Sequence, residues 1–185
     1  MEPEQEQPRT GSALRELLET LILTVVTYLL VRTFLFETYR VVGQSMEQTL
    51  VQDQRLIVSK LSYRLHDPQR GDIIVFRDPQ DSGRNLIKRI IGLPGEIVEI
   101  SNGQVFINGQ PLDEPYLGSN SMRAEPQIAI PEGCYFVMGD NRNNSSDSRS
   151  WGVLAADRIV GKAAFTYWPV RLWGPAPHET YGIEP

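Results

Sequence analysis

The 185-residue sequence predicts a mainly β protein, with a single N-terminal transmembrane helix followed by a β-rich domain that carries a small β-hairpin insert. Three observations carry that expectation. Leu17 to Phe36 is almost continuously apolar, close to the ~20 residues that a hydrocarbon core of ~30 Å requires of a helix. Beyond Glu37, short apolar runs of about four to eight residues alternate with turn signals. The 15 Gly and 13 Pro, spread along the chain, leave no room for long helices after its first quarter. With 41% hydrophobic residues and 18 basic against 23 acidic side chains, the composition is that of one folded domain with appendages, not a disordered polyelectrolyte. A net charge of −5 and no basic run leave nothing to neutralise a phosphate backbone, so nucleic acid is not an expected partner. Cys134 is the lone cysteine, which excludes an internal disulfide and a thiolate zinc site.

In chain order, residues 1–16 read as a disordered tail, because Glu2, Glu4 and Glu6 with two Gln and two Pro precede any apolar periodicity. Residues 17–36 read as the membrane span, with Glu19 near one end and Arg32 able to snorkel at the other. A buried core helix, or a strand through Val25, Val26 and Thr27, are the alternatives. A cleavable signal peptide fits less well, since the segment lacks a basic start and FLFETYR offers no small-x-small site. Arg9 and Arg15 before the span balance Arg32 and Arg40 after it, so charge alone does not orient it. The strands RLIVSKL, DIIVFRD, NLIKRIIGL, EIVEI, QVFING, CYFVMGD and RIVGKAAFTYW then build a domain over residues 37–175. Asn102-Gly103 stands at two-residue hairpin spacing and Asn108-Gly109 marks the next turn, which places the insert at about 96–130. PLDEPY and RAEPQIAIPEG read as irregular connections, and residues 176–185 as a flexible C-terminus.

Three features could carry chemistry. Ser45 follows Gly43 and Gln44 at the end of the extended run TYRVV, where its hydroxyl and its backbone N–H could face the same space. A capping box with Gln48 would explain it equally well. His66 and His178 sit in loop-like contexts and are weak candidates for its base. Lys88 is stronger: in NLIKRIIGL the two-residue period sets it on the face of Leu86 and Ile90, where burial would lower its pKa toward that of a general base. The opposite arrangement, Lys88 outward and Arg89 inward and paired, remains open at this point. Finally, GDNRNNSSDSRSWG follows the apolar strand CYFVM with Asp140, Arg142, Asp147 and Arg149 among hydroxyls and amides, suited to support a neighbouring site.

In this order, SMEQTL, DQRLIVSK, GDIIVFRDP with NLIKRIIGLPGE, and GDNRNNSSDSR resemble the motifs of the bacterial type I signal peptidase (leader peptidase) family, membrane-anchored Ser/Lys endopeptidases. The resemblance implies that Ser45 is the nucleophile and Lys88 the general base. It implies that Ser145 orients the Lys88 amine, that Asp147 and Arg149 brace the loop, and that the Ser45 N–H forms half of the oxyanion hole. The chain departs from the family at Gly43, where many members carry a serine that completes the hole. It departs again at Gln48, where proline is usual, and at Asp53-Gln54, where Gly-Asp is usual. The implied substrates are secretory preproteins, cut after a small-x-small (Ala-x-Ala-like) signal. Tyr39, Val41, Met46, Leu50 and Leu86 are the candidate walls of the pockets that would take the small residues. The resemblance further implies a monomer needing no metal or cofactor, with a cytoplasmic tail, one pass through the inner or plasma membrane, and an extracytoplasmic (periplasmic) body on the lipid bilayer. A self-cleaving Ser/Lys repressor would need a DNA-binding domain that Met1 to Phe36 is too short and too apolar to supply. An inactive anchored scaffold is the other rival.

Overall fold

The computed structural model describes residues 10–118 and 122–181. Helix α1, Thr10–Phe34, begins inside the segment expected to be a tail. Its first turns are supported by an i,i+4 ion pair, Arg15 Nε donating to Glu19 at 2.7 Å. It ends at Phe34 because Phe36 already pairs with Ser59 in the first strand. Helix α1 thus contains most of the segment 17–36 but has other bounds, and the rest of the tail, residues 1–9, lies outside the described residues. Leu17, Leu21, Leu23, Val25 and Tyr28 are all exposed, so α1 is neither a core helix nor a strand. Among the described residues no helix is long and apolar enough to cross a membrane. Arg15, Glu16, Glu19 and Arg32 flank an uncharged stretch from Thr20 to Val31.

The body is antiparallel throughout. Strands β1 (Phe36–Arg40), β2 (Arg55–Ser59), β3 (Ile73–Arg77), β4 (Asn85–Gly92), β9 (Cys134–Met138), β10 (Leu154–Ala155), β11 (Ile159–Trp168) and β12 (Gly174–Pro175) form one sheet. Its order is β1-β2-β11-β3-β4-β9-β10, with β12 added to β11. Alternation along β3 sends Ile73 and Ile74 to opposite faces. Ile73 packs with Val41, Met46, Leu50, Leu56 and Ala163, and Ile74 with Phe76, Ile90, Val137 and Leu154. A second sheet, ordered β7-β6-β5-β8, contains β5 (Ile97–Ser101), β6 (Gln104–Ile107), β7 (Gln110–Pro111) and β8 (Glu125–Ala129). This is the expected insert. Asn102 (φ 50°) and Gly103 (φ 79°) make the two-residue turn between Ser101 and Gln104.

Two expectations are corrected. RAEPQIAIPEG is not an irregular connection but supplies β8, which tolerates Pro126 because it is an edge strand. The C-terminal segment, expected to be flexible, is docked through Tyr181. Ala176 is buried in the core and donates to Ala164 O at 3.0 Å, and the Tyr181 hydroxyl donates to that of Tyr116 at 3.0 Å. Gly71 (φ 90°) permits this docking, since a Cβ there would lie 2.0 Å from Glu179 O. Residues 182–185 are outside the described residues.

Insert and body are joined by a buried ion pair, Arg70 Nη1 donating to Glu96 Oε2 at 2.8 Å, while Leu93 N donates to the same oxygen at 2.7 Å. Replacing Arg70 by Met strands the Glu96 carboxylate, for an expected loss of about 3–5 kcal/mol. Adding Glu96→Leu should recover much of it. Urea unfolding of the two variants checks both statements.

Candidate active site

The chain leaves β1 at Arg40, is held by Val41 N donating to Gln54 O (2.8 Å), and turns away from the sheet at Gly43 (φ 92°). Turns, not a helix, follow: Glu47 N donates to Gln44 O at 3.0 Å and Leu50 N to Met46 O at 2.8 Å. The capping-box reading of Ser45 therefore falls. Met46 and Leu50 anchor this turn in the core, at 1% and 0% exposure. The Ser45 carbonyl accepts the Asn141 N–H at 3.0 Å, which ties the turn to the loop after β9.

Lys88 lies mid-strand in β4, opposite Ile74 of β3, and only 3% of it is exposed. Its Nζ donates to Ser45 Oγ at 2.7 Å and to Ile87 O at 2.9 Å. The two alternatives for this strand are resolved by both residues being buried. Arg89 points the other way and pairs with Asp140 through Nε (3.0 Å) and Nη2 (2.8 Å), its guanidinium 4.1 Å from the centre of the Tyr116 ring. Burial lowers the Lys88 pKa to about 8, against the opposing pull of Asp147 and Asp140 and with help from Arg149. The amine is thus substantially neutral in mildly alkaline solution, within hydrogen-bond reach of a hydroxyl it could deprotonate.

The loop behind the pair is braced as expected. Arg149 grips Asp147 through Nε (2.8 Å) and Nη2 (2.7 Å), and Asp147 also accepts the Gly139 N–H at 3.0 Å. These bonds hold the Asp147 carboxyl below its ordinary range although burial opposes them. The Ser145 hydroxyl is buried beside Asp147, whose carboxyl it helps to hold low, and makes no hydrogen bond to the Lys88 amine in this structure. It lies close by: a Cβ built on Gly139 would be 2.2 Å from Ser145 Oγ and 2.4 Å from Ser45 O. His178, read from the sequence as a surface residue, is pinned by Ile73 N donating to Nδ1 (3.0 Å) and by Ala163 O at 2.7 Å from Nε2.

A cavity of about 390 Å³ opens beside Ser45 and Lys88. Of the candidate wall residues, Tyr39, Val41 and Leu86 line it, and Met46 and Leu50 do not, being the buried support of the turn beneath. Arg40, Val42, Leu56, Val75, Arg84, Asn85 and Ile87 complete the lining and were missed. Asn85 and Ile87 flank Leu86 on β4, so adjacency to Lys88 was the available signal. A larger cavity of about 960 Å³ lies between the end of α1 and the sheet, lined by Tyr28, Arg32, Phe36 and Phe165 among others, and contains neither Ser45 nor Lys88.

The departures at Gln48 and Asp53 have a backbone meaning. Gln48 has φ 90°, which proline cannot adopt, and its Oε1 accepts the Gly118 N–H at 2.9 Å, linking the turn to the insert. Asp53 has φ 69°, a conformation easy for glycine, and its carboxylate pairs with Arg40 at 2.7 Å. Gln54 is buried, its Nε2 donating to Thr166 Oγ1 at 2.7 Å.

A buried lysine on a strand, bonded to a turn serine and backed by a braced polar loop, is an arrangement in which an amine could activate a hydroxyl without histidine. Comparison with known proteins gives the family. Residues 14–168 match the family described as signal peptidase, peptidase S26. The chain is 43% identical over 174 residues to a probable signal peptidase I-1 of Synechocystis sp., covering 90% of this chain and 89% of the relative. It is 43% identical to a signal peptidase I of Leptolyngbya laminosa (94% and 89% covered) and 38% identical to one of Bacillus licheniformis (90% and 95%). The chain belongs to the type I signal peptidase family and is a peptide-bond hydrolase.

Gly139→Ala would force its methyl group into Ser145 Oγ and the Ser45 carbonyl. We expect at least a hundredfold loss of kcat, on the scale of a ~1 Å misplacement of reacting groups. Steady-state kinetics, alongside a thermal melt that stays cooperative, checks it.

Proposed function

We propose that the protein removes N-terminal signal peptides from secreted preproteins, with Ser45 as nucleophile and Lys88 as general base. The observation that carries this reading is the 2.7 Å contact between a Ser45 hydroxyl and a desolvated Lys88 amine at the end of an apolar cleft. The neutral amine takes the Ser45 proton as Oγ attacks the scissile carbonyl, and the resulting ammonium gives that proton to the leaving amine. Neutral again, it deprotonates the water that releases the acyl group from Oγ. The backbone N–H of Ser45 stabilises the developing oxyanion. Gly43 brings no side-chain donor, so the second donor is main chain or water. Ser145 is assigned to hold the amine once it has lost its proton, and Asp147 and Arg149 to keep Ser145 in place.

Small-x-small specificity follows from the walls. Tyr39, Val41, Leu56, Val75 and Leu86 leave shallow apolar space beside Ser45, which favours alanine-sized side chains and rejects larger ones by collision. Burial raises the Tyr39 hydroxyl to about 12, so it serves as a neutral wall. The apolar segment 17–36, whose uncharged middle from Thr20 to Val31 faces outward, is assigned to the bilayer as a single pass, with cytoplasmic N-terminus and extracytoplasmic body. Exposed Phe36, Trp168 and Trp173 suit the interface beside it.

Purified protein in detergent micelles, given a preprotein, should cut once after a small-x-small site, as mapped by mass spectrometry. Ser45→Ala and Lys88→Ala should each lose at least a thousandfold in kcat/KM; full activity in either would remove the dyad. Because the base works deprotonated, kcat/KM should rise with pH through about 8 in the free enzyme. A profile with no basic limb below the range of free lysine would contradict the assignment.

A further inference from the structure

The cleft does not end at its apolar walls. Arg84 and Asn85 line both the 390 Å³ cavity and an adjoining one of about 260 Å³. The second is walled by Arg77, Arg84 and Arg158 with Asp78 and Asp81. Arg77 stands directly across the β3–β4 ladder from Asn85, and Asn85 Nδ2 donates to the Tyr39 hydroxyl at 3.2 Å, which fixes this end of the cleft.

The charges there do not cancel. Arg158 donates to Asp81 at 2.7 Å, which accounts for one cation and one carboxylate. Asp78 is 5% exposed, its backbone neighbour Gln80 and the Ser82 hydroxyl filling its oxygens, though it feels the charge of Arg84. Arg84 is exposed and donates to Ser82 Oγ at 3.2 Å, and Arg77 is exposed as well. Neither has a carboxylate partner within ion-pair distance among the described residues. Of the other charges near Tyr39, Arg40 is taken by Asp53 and Glu37 by Lys60. Two cations therefore face the far end of the cleft in a chain whose net charge is −5.

Resting on the proposed peptidase reading, we infer that Arg84 and Arg77 form a charge-selective subsite for the substrate segment upstream of the small-x-small signal. It favours an acidic side chain and disfavours a basic one. Arg84 immediately precedes β4, four positions before Lys88 and about 13 Å away at ~3.3 Å per residue. An extended substrate, with its scissile carbonyl at Ser45, spans that distance in about four residues. The residue read by Arg84 is therefore the fourth to sixth before the cut. Exposed pairs are weak, so the subsite tunes the rate of cutting and does not gate it.

The test uses the full-length protein in neutral detergent and a set of peptide substrates identical except for Asp, Ala or Lys at the fourth, fifth or sixth position before the cut. The readout is the ratio of kcat/KM for the Asp and Lys peptides within each enzyme, which a general loss of activity does not move. Wild type should prefer Asp by about fivefold at one of these positions at low salt, and the preference should shrink in ~0.5 M salt. Arg84→Glu should invert the ratio, and Arg77→Glu should at least abolish it. A wild-type ratio near one at all three positions, or one that Arg84→Glu leaves unchanged, overturns the subsite. Failure of wild type to cut even the Ala peptide overturns the peptidase reading itself, and the subsite with it.

Discussion

The burial of Lys88 is the constraint around which the rest of this molecule is arranged. Moving its pKa from 10.5 to about 8 corresponds to a free-energy penalty on the charged form on the order of 3 kcal/mol. A folded domain holds only about 5–15 kcal/mol in total. The surroundings offset that penalty with fixed charge pairs that do not reprotonate the amine. Asp140 is matched by Arg89 and Asp147 by Arg149, so the carboxylates nearest the lysine are already engaged. An uncompensated carboxylate in either place would pull the Lys88 pKa back toward its ordinary value.

The same arrangement explains why so many polar groups lie in the interior. Arg89, Asp140, Arg142 and Asp147 are each 2% exposed or less, an unusual set for a small β domain. Arg142 pairs with Glu114, whose carboxylate also accepts from the Tyr116 hydroxyl at 2.6 Å. Asn141, between Asp140 and Arg142, holds the Ser45 carbonyl. The insert is thus mechanically continuous with the Ser45 turn: by Gln48 to Gly118 on one side, and by Glu114 through Arg142 to Asn141 on the other.

Much of this was legible in the sequence, and what was not has identifiable causes. The strands and the Asn-Gly turns follow from local patterns, since period-two alternation and positive-φ preferences act over a few residues. The Ser45 and Lys88 pairing joins positions 43 residues apart and needed the family resemblance, because alternation along β4 left Lys88 and Arg89 interchangeable. The lining residues Met46 and Leu50 were misplaced because an apolar residue beside a nucleophile can form the wall of a cleft or the floor beneath it. Only packing distinguishes the two. The docking of 176–181 was hidden by its prolines, which suggest fraying when no partner is in view. Its partners, Gly71, Arg89 and Tyr116, are remote in sequence.

The docked segment 176–181 reaches the back of the site. Pro177 O accepts a hydrogen bond from Arg89 at 3.3 Å, and the Tyr181 hydroxyl donates to that of Tyr116, over whose ring Arg89 lies. Arg89 adjoins Lys88 in sequence, so the surroundings of that lysine are completed by residues 177–181, remote from it along the chain. Loss of residues 176–181 would strip Arg89 of its bond to Pro177 O and Tyr116 of its Tyr181 partner, loosening the polar wall against which Lys88 is desolvated.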